Sequence, residues 1–315
     1  NISGTSQGFL TDNLGTNGLN AGDTFVGVFT GNPRASLLSY FTRGTLNLGD
    51  RYLLTATARV DGSSRFGGGN RFAAFPSAAL AWRLSREGLI QRLGWFDDLK
   101  LRVSAGRTGN QEIGNFESLA RLGSTVYALG GQRAIGFAPI SLANRDLRWE
   151  RTDELNAGLD MTVLRQRLTI TADAYDRRTR DLLLFVPIPA TSGFGSSLQN
   201  VGSVRNRGVE LSVNTVNLRG GAGRLGWTST LAVAWNRNRV LNLGPDTLII
   251  NPAGVGAGAN QNPTVLQVGQ PVSAFFGWIY AGSRDGQPTY RDLNGDGNIT
   301  EADRTILGSA QPNYT

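Results

Sequence analysis

The 315-residue chain contains neither cysteine nor histidine. Without Cys there is no disulfide framework and no thiol nucleophile. Without His, a Ser-His-Asp triad and the usual zinc sites lack their residues. No enzymatic role is expected. Lysine is almost absent as well: of the 31 basic residues only Lys100 is not arginine, so guanidinium groups carry the net charge of +7. These arginines are spread along the sequence beside Asp and Glu rather than gathered in one run, which speaks against a nucleic-acid surface. No stretch reaches the roughly 20 consecutive apolar residues of a membrane helix. A helical membrane protein is thereby excluded. A soluble β-protein remains open, as does a membrane barrel whose lipid-facing residues alternate with polar ones.

What the chain does contain is period-two alternation. Tyr52, Leu54, Ala56, Ala58 and Val60 share one face, with Thr55, Thr57, Arg59 and Asp61 on the other. Leu155, Ala157, Leu159, Met161 and Val163 repeat the pattern, and so do Leu168, Ile170, Ala172 and Ala174. The polar turn between these two runs, Leu164 to Arg167, predicts a tight antiparallel hairpin. Val209, Leu211 and Val213 continue the pattern, followed by Trp227, Leu231, Val233 and Trp235. Runs of about 10 residues exceed an ordinary strand and suit a tilted membrane strand. Trp227 and Trp235 are separated by roughly 20 Å along the membrane normal at about 3.3 Å per residue and a tilt near 40°.

Trp82, Trp95 and Trp149 fall near predicted strand ends, where an aromatic girdle belongs. The alternative is that these are core tryptophans of a large β-sandwich. Short turns such as Leu48–Arg51 contrast with the long polar stretches Thr108–Asp146 and Leu241–Asn262, the asymmetry of a barrel with short periplasmic turns and long external loops. Ser85–Leu93 reads as a short helix or turn. Asp61 and Arg65 are placed to pair across the Gly62 turn, and Gly202 permits a bend into the next strand. The count is about ten membrane-length strands.

Several stretches resemble the SusC/RagA family of TonB-linked outer-membrane transporters. They are RYLLTATARVDGSSRF (51–66), FPSAALAWRLS (75–85), LKLRVSAGRTGNQEIGNF (99–116) and LRWERTDELNAGLDMTVLRQRLTITADAYDRRTRDLLL (147–184). NVGSVRNRGVELSV (200–213), VGQPVSAFFGWIYAG (268–282) and YRDLNGDGNITEADRTILGSAQPN (290–313) follow in the same order. The resemblance implies an all-β fold: residues 1–315 are part of a transmembrane antiparallel β-barrel of about 22 strands, incomplete here. Its plug, first strands and last strands are expected outside this sequence. It further implies residence in the outer membrane against lipid, energised import of bulky nutrients such as oligosaccharides or peptides, coupling to the TonB complex through an N-terminal part not included, and a SusD-like surface lipoprotein. Arg59, Asp160, Asp173 and Glu210 are candidates for the lumen face, with plain solvation of a polar wall as the simpler reading. No substrate-binding residue is singled out.

One local motif stands apart. Asp292 to Asp303 matches a twelve-residue calcium loop. Asp292, Asn294, Asp296 and Asp303 supply oxygen ligands, Asn298 offers its carbonyl, and Gly297 sits at the sharp turn. Asp303 replaces the usual Glu, and Glu301 is a nearby substitute. The flanks read as strand and turn rather than EF-hand helices. The other reading is a pair of Asn-Gly and Asp-Gly turns whose carboxylates cap the backbone. A passive porin, or a secreted calcium-binding β-protein, is the alternative to an importer.

Overall fold

The computed structural model describes residues 2–9, 22–30, 34–309 other than 222, 224 and 251–263, and 311–312. The chain divides into two compact units, residues 1–36 and 37–315. In the first, β1 (Ile2–Phe9) and β2 (Gly22–Thr30) pair antiparallel.

The second unit is built on one antiparallel sheet. β3 (Leu37–Leu48) turns at Gly49 and Asp50, both with positive φ, into β4 (Tyr52–Ser63). β5 (Phe72–Ala74) lies along the end of β4, and β6 (Ser77–Arg83) along its beginning. A 3₁₀ turn at Leu84–Arg86 and the helix α1 (Gly88–Leu93) then lead into β7 (Phe96–Asn110). The hairpin of β8 (Leu122–Leu129) and β9 (Gln132–Pro139) intervenes before β10 (Glu150–Val163) and β11 (Leu168–Arg180). β12 (Leu183–Pro187) and β13 (Ser196–Asn200) form a second such hairpin before β14 (Ser203–Leu218) and β15 (Trp227–Asn242).

The sheet runs β15-β14-β11-β10-β7-β6-β4-β3, so neighbours in sequence are neighbours in space. After it come β16 (Leu248–Ile250), β17 (Thr264–Gln267) and β18 (Ala274–Gly277), then the hairpin β19 (Tyr280–Arg284) and β20 (Gln287–Tyr290). β21 (Thr305–Ser309) completes a four-stranded sheet with β16, β17 and β18.

Because directly opposed residues point to the same side of a pleated sheet, the register carries the sequence alternation across strands. One row links Leu54, Leu80, Val103, Ala157, Ala174, Val209 and Trp235. The adjacent row on the other side links Arg102, Gly158, Asp173, Glu210 and Ala234. Among the described residues of this unit nothing covers the apolar face: Leu54 is 43% exposed, Val103 51%, Val209 49% and Trp235 47%. In water such a surface is costly, whereas in hydrocarbon it is at home. The sandwich alternative requires a second sheet over this face. Among the described residues the buried cores lie instead among the long loops. One comprises Phe66, Phe75, Leu147, Trp149 and Leu198, and the other Val204, Val240, Leu243 and Ile249.

The two ends of the sheet differ as the sequence suggests. The β3–β4, β10–β11 and β14–β15 connections are short and share one end with α1. The routes from β4 to β6, β7 to β10 and β11 to β14 share the other. The turn from β10 to β11 spans 164–167 as expected, yet Leu164, Arg165 and Gln166 are all left-handed, with φ of 60°, 58° and 64°. That conformation costs about 1–2 kcal/mol per non-glycine residue. Anchors offset it: the Gln166 amide donates to Asp97 Oδ2 at 2.8 Å, and the Arg219 guanidinium donates to the Arg165 carbonyl.

Among the described residues seven strands (β3, β4, β7, β10, β11, β14 and β15) reach 12 to 16 residues, while β1, β2 and β6 have 8, 9 and 7. Two expectations change. Thr108–Asp146 is not structureless, since it holds β8–β9 closed by Gly130 and Gly131, both with positive φ. The 251–262 part of the other long stretch lies outside the described residues. Finally, Trp149 is no girdle residue: it is 4% exposed, packed on Phe66 and Phe75, and its Nε1 donates to the Arg71 carbonyl at 2.8 Å. Trp82 stacks on Tyr52 and Trp95 stands 72% exposed at the short-turn end, as a girdle requires. Trp149→Ala is expected to lower unfolding stability of the full-length protein in detergent by about 3–5 kcal/mol. Trp95→Ala should cost far less, and equal losses would contradict the assignment.

Candidate functional site: the polar face of the sheet

The four residues read from the sequence as lumen candidates all lie on the polar face, but not as one group. Asp160 and Asp173 are brought together by a residue the sequence reading passed over. Arg102 Nε and Nη2 donate to Asp160 at 2.9 and 3.0 Å, and Nη2 also reaches Asp173 Oδ2 at 3.0 Å. Lys100 Nζ adds a 2.8 Å ion pair to Asp160. Alternation marks Lys100 and Arg102 as polar-face positions between Leu99, Leu101 and Val103. What no pattern supplies is that β10 and β11 present their aspartates to them.

Gly158 makes this ladder possible. It lies directly opposite both Arg102 and Asp173, and a Cβ there would run into the Arg102 guanidinium. Glu210 sits opposite Asp173 on β14. A separate group on the same face pairs Arg177 with Glu154 and the Tyr175 hydroxyl with Asn236 Oδ1.

Arg59 belongs to a separate group. Its Nε bonds both oxygens of Asp61 at 2.8 Å, and Nη2 donates to Ser39 Oγ at 3.0 Å. The expected Asp61–Arg65 pair does not form, because Asp61 and Arg59 project from the same face of one strand. Arg65 instead donates to Asn115 Oδ1 and the Gln111 carbonyl. Beside Arg59 and Asp61 opens a cavity of about 750 Å³, lined on the polar face by Thr55, Thr57, Ser77, Ser104, Thr108 and Asn110. Hydroxyls and an amide at these positions offer donors and acceptors to a polar solute.

At the long-loop end, Asn200 clamps two loops. Its Nδ2 donates to the carbonyls of Arg148 and Asp181, and its Oδ1 accepts from the Arg148 amide at 2.8 Å. Gly202, with φ of 90°, makes the expected bend. Burial pushes the Asp181 carboxyl up, but hydrogen bonds from Arg148 and Arg151 outweigh it and hold the group below the ordinary carboxylate range.

In the Asp292–Asp303 loop the side chains are turned to the backbone. Asp292 accepts from the amides of Gly295 and Gly297 at 2.6 and 2.7 Å. Asp303, fully buried, accepts from those of Leu293 and Thr300 at 2.8 Å each, and these bonds hold its carboxyl below the usual range. Asn294 and Asp296 accept from the amides two residues on. The Asn298 Nδ2 donates weakly to the Asp296 carbonyl. Among the described residues no three acidic side chains converge as metal ligands do.

Comparison with known proteins places this geometry. Residues 3–315 match the family model described as TonB dependent receptor-like, beta-barrel. The chain is 31% identical to TonB-dependent receptor P3 of Formosa agariphila, over 98% of itself and 32% of that protein. It is 34% identical to TonB-dependent receptor SusC of Bacteroides thetaiotaomicron, over 87% of itself and 28% of that protein. It superposes on the RagAB peptide importer in its 'open-open' state with a TM-score of 0.79 at 28% identity, covering 98% of this chain and 33% of that one. The chain thus spans about a third of the relatives it matches. Its apolar face meets lipid, its polar face looks inward, and it belongs to the β-barrel family of SusC-like TonB-dependent receptors of the outer membrane.

Proposed function

We propose that this chain is part of the wall of an energised importer of bulky nutrients, oligosaccharides or peptides, with its polar face lining the route. The observation that carries the reading is that face: a charge ladder from Lys100 to Asp173 and a cavity rich in hydroxyl groups, on the side opposite a bare apolar band. A structural relative is described as a peptide importer, which favours peptides among the solutes to try first. TonB coupling through a segment outside this chain, and a SusD-like lipoprotein over the external mouth, complete the proposal.

The test is uptake of labelled oligopeptides and oligosaccharides by cells with and without the full-length gene, before and after a protonophore. Gene-dependent uptake that stops with the protonophore supports an energised importer. Uptake that continues makes the protein a passive pore. Within the wall, Arg102→Met leaves Asp160 and Asp173 facing each other without their shared cation. The full-length protein should lose roughly 1–3 kcal/mol of stability.

We also propose calcium for the Asp292–Asp303 loop, supported by the spacing of its oxygen-bearing side chains. Titrating calcium into the full-length protein should shift its unfolding midpoint, and Asp296→Ala should abolish that shift. Equal responses would leave a backbone-capped turn. The capped turn makes its own prediction. Because the folded pKa of Asp303 is depressed, its stabilisation is fully present above the unfolded carboxylate value of about 3.9. It is lost as pH falls through the lower folded value, and Asp303→Asn should flatten that acid limb.

A further inference from the structure

The apolar band ends abruptly toward the long loops. On β15 the outward row runs Leu231, Val233, Trp235 and then Arg237 and Arg239. On β14 it runs Val213, Leu211, Val209 and then Arg207 and Arg205. β10 and β11 change at the same level, from Leu155 to Asp153 and Arg151, and from Ala174 to Asp176, Arg178 and Arg180. Trp235 marks the boundary, as an interfacial aromatic does. The charges lie immediately beyond it, at the depth of lipid headgroups.

Their arrangement is unfavourable by itself. The register sets Arg207 directly against Arg237 and Arg205 against Arg239. It also sets Arg178 against Arg205 and Arg151 against Arg180. Like charges directly opposed on one face of a sheet destabilise it. Internal carboxylates relieve only part of this. Asp176 is shared between Arg205 and Arg207, Asp181 pairs Arg151 at 2.9 Å, and Asp153, held by Arg107 at 2.7 Å, reaches Arg180 only at 3.9 Å. Arg178 and Arg237 are exposed and make no hydrogen bond or ion pair among the described residues. Such a surface needs anions from outside, and planar guanidinium forks suit phosphate oxygens.

We propose that this arginine belt binds the phosphate groups of outer-leaflet lipid headgroups and so fixes the depth of the barrel wall. Its place on the lipid side, continuous with the apolar band, selects a lipid over a solute in the lumen. Arg178 and Arg237 are the contact residues, without hydrogen bond or ion pair among the described residues.

The test uses the full-length protein in phosphatidylcholine nanodiscs doped with bisphosphorylated lipid A, or with none, and compares the unfolding midpoint and retained lipid A after detergent extraction. The wild type should gain stability with lipid A and retain it. The Arg178→Gln/Arg237→Gln variant should bind it roughly 10- to 30-fold more weakly. An Arg86→Gln/Arg92→Gln variant, which removes equal charge at the short-turn end, should behave as wild type. Retention equal in all three proteins overturns the proposal. So does full reproduction of the effect by inorganic phosphate without lipid A. If the belt variant instead changes only the oligomeric state, the face is an interface between copies and the lipid assignment is wrong.

Discussion

In hydrocarbon a backbone amide or carbonyl has no water to turn to, so each must find its partner on the next strand. That requirement explains most of what the long strands do. It demands uninterrupted ladders, such as the thirteen direct pairs between β10 and β11, in which no side chain intervenes and no residue slips register. It also means that side chains are not needed to satisfy the backbone within the band. They are left free to serve two solvents at once, with Leu159 and Met161 toward lipid and Asp160 and Thr162 toward the interior.

The polar side of this arrangement is not merely wet. A cross-strand ladder in which Arg102 serves two aspartates needs room for a guanidinium flat against the sheet, and Gly158 provides it. Each charge is partly desolvated and has an opposite charge in contact, which avoids the cost of leaving a charge alone in a confined space. The same principle organises the loops. Asp181 answers Arg148 and Arg151, and Asn200 satisfies backbone groups from two segments that no strand ladder reaches.

Much of this was legible in the sequence, because a period of two is a local property. Tyr52 to Val60 and Leu155 to Val163 announce their faces without any knowledge of neighbours, and the turn at 164–167 announces the hairpin. What was not legible depends on pairs far apart in the chain. Arg102 meets partners 58 and 71 residues away, and only the register of three strands brings them together. Trp149 sits at a strand end, as a girdle tryptophan does, but whether a loop folds over such a residue is decided by Phe66 and Leu198, not by its position. The β8–β9 hairpin had its signal in Gly130 and Gly131, obscured because its strands carry no single apolar face. The arginines looked scattered for the same reason: neighbours across strands are strangers along the chain.

Among the described residues the strands of the loop hairpins β8–β9 and β12–β13 pair only with each other and share no backbone ladder with the main sheet. Their lengths are therefore decoupled from the parity of the wall. One residue gained inside β10 must be absorbed by a bulge or would turn Asp160 into the lipid, whereas several gained between β8 and β9 leave the β7–β10 pairing untouched. Over generations, insertions and deletions can accumulate at the outer mouth while the wall keeps its length. The part that first meets the outside world is then free to diversify without the membrane being consulted.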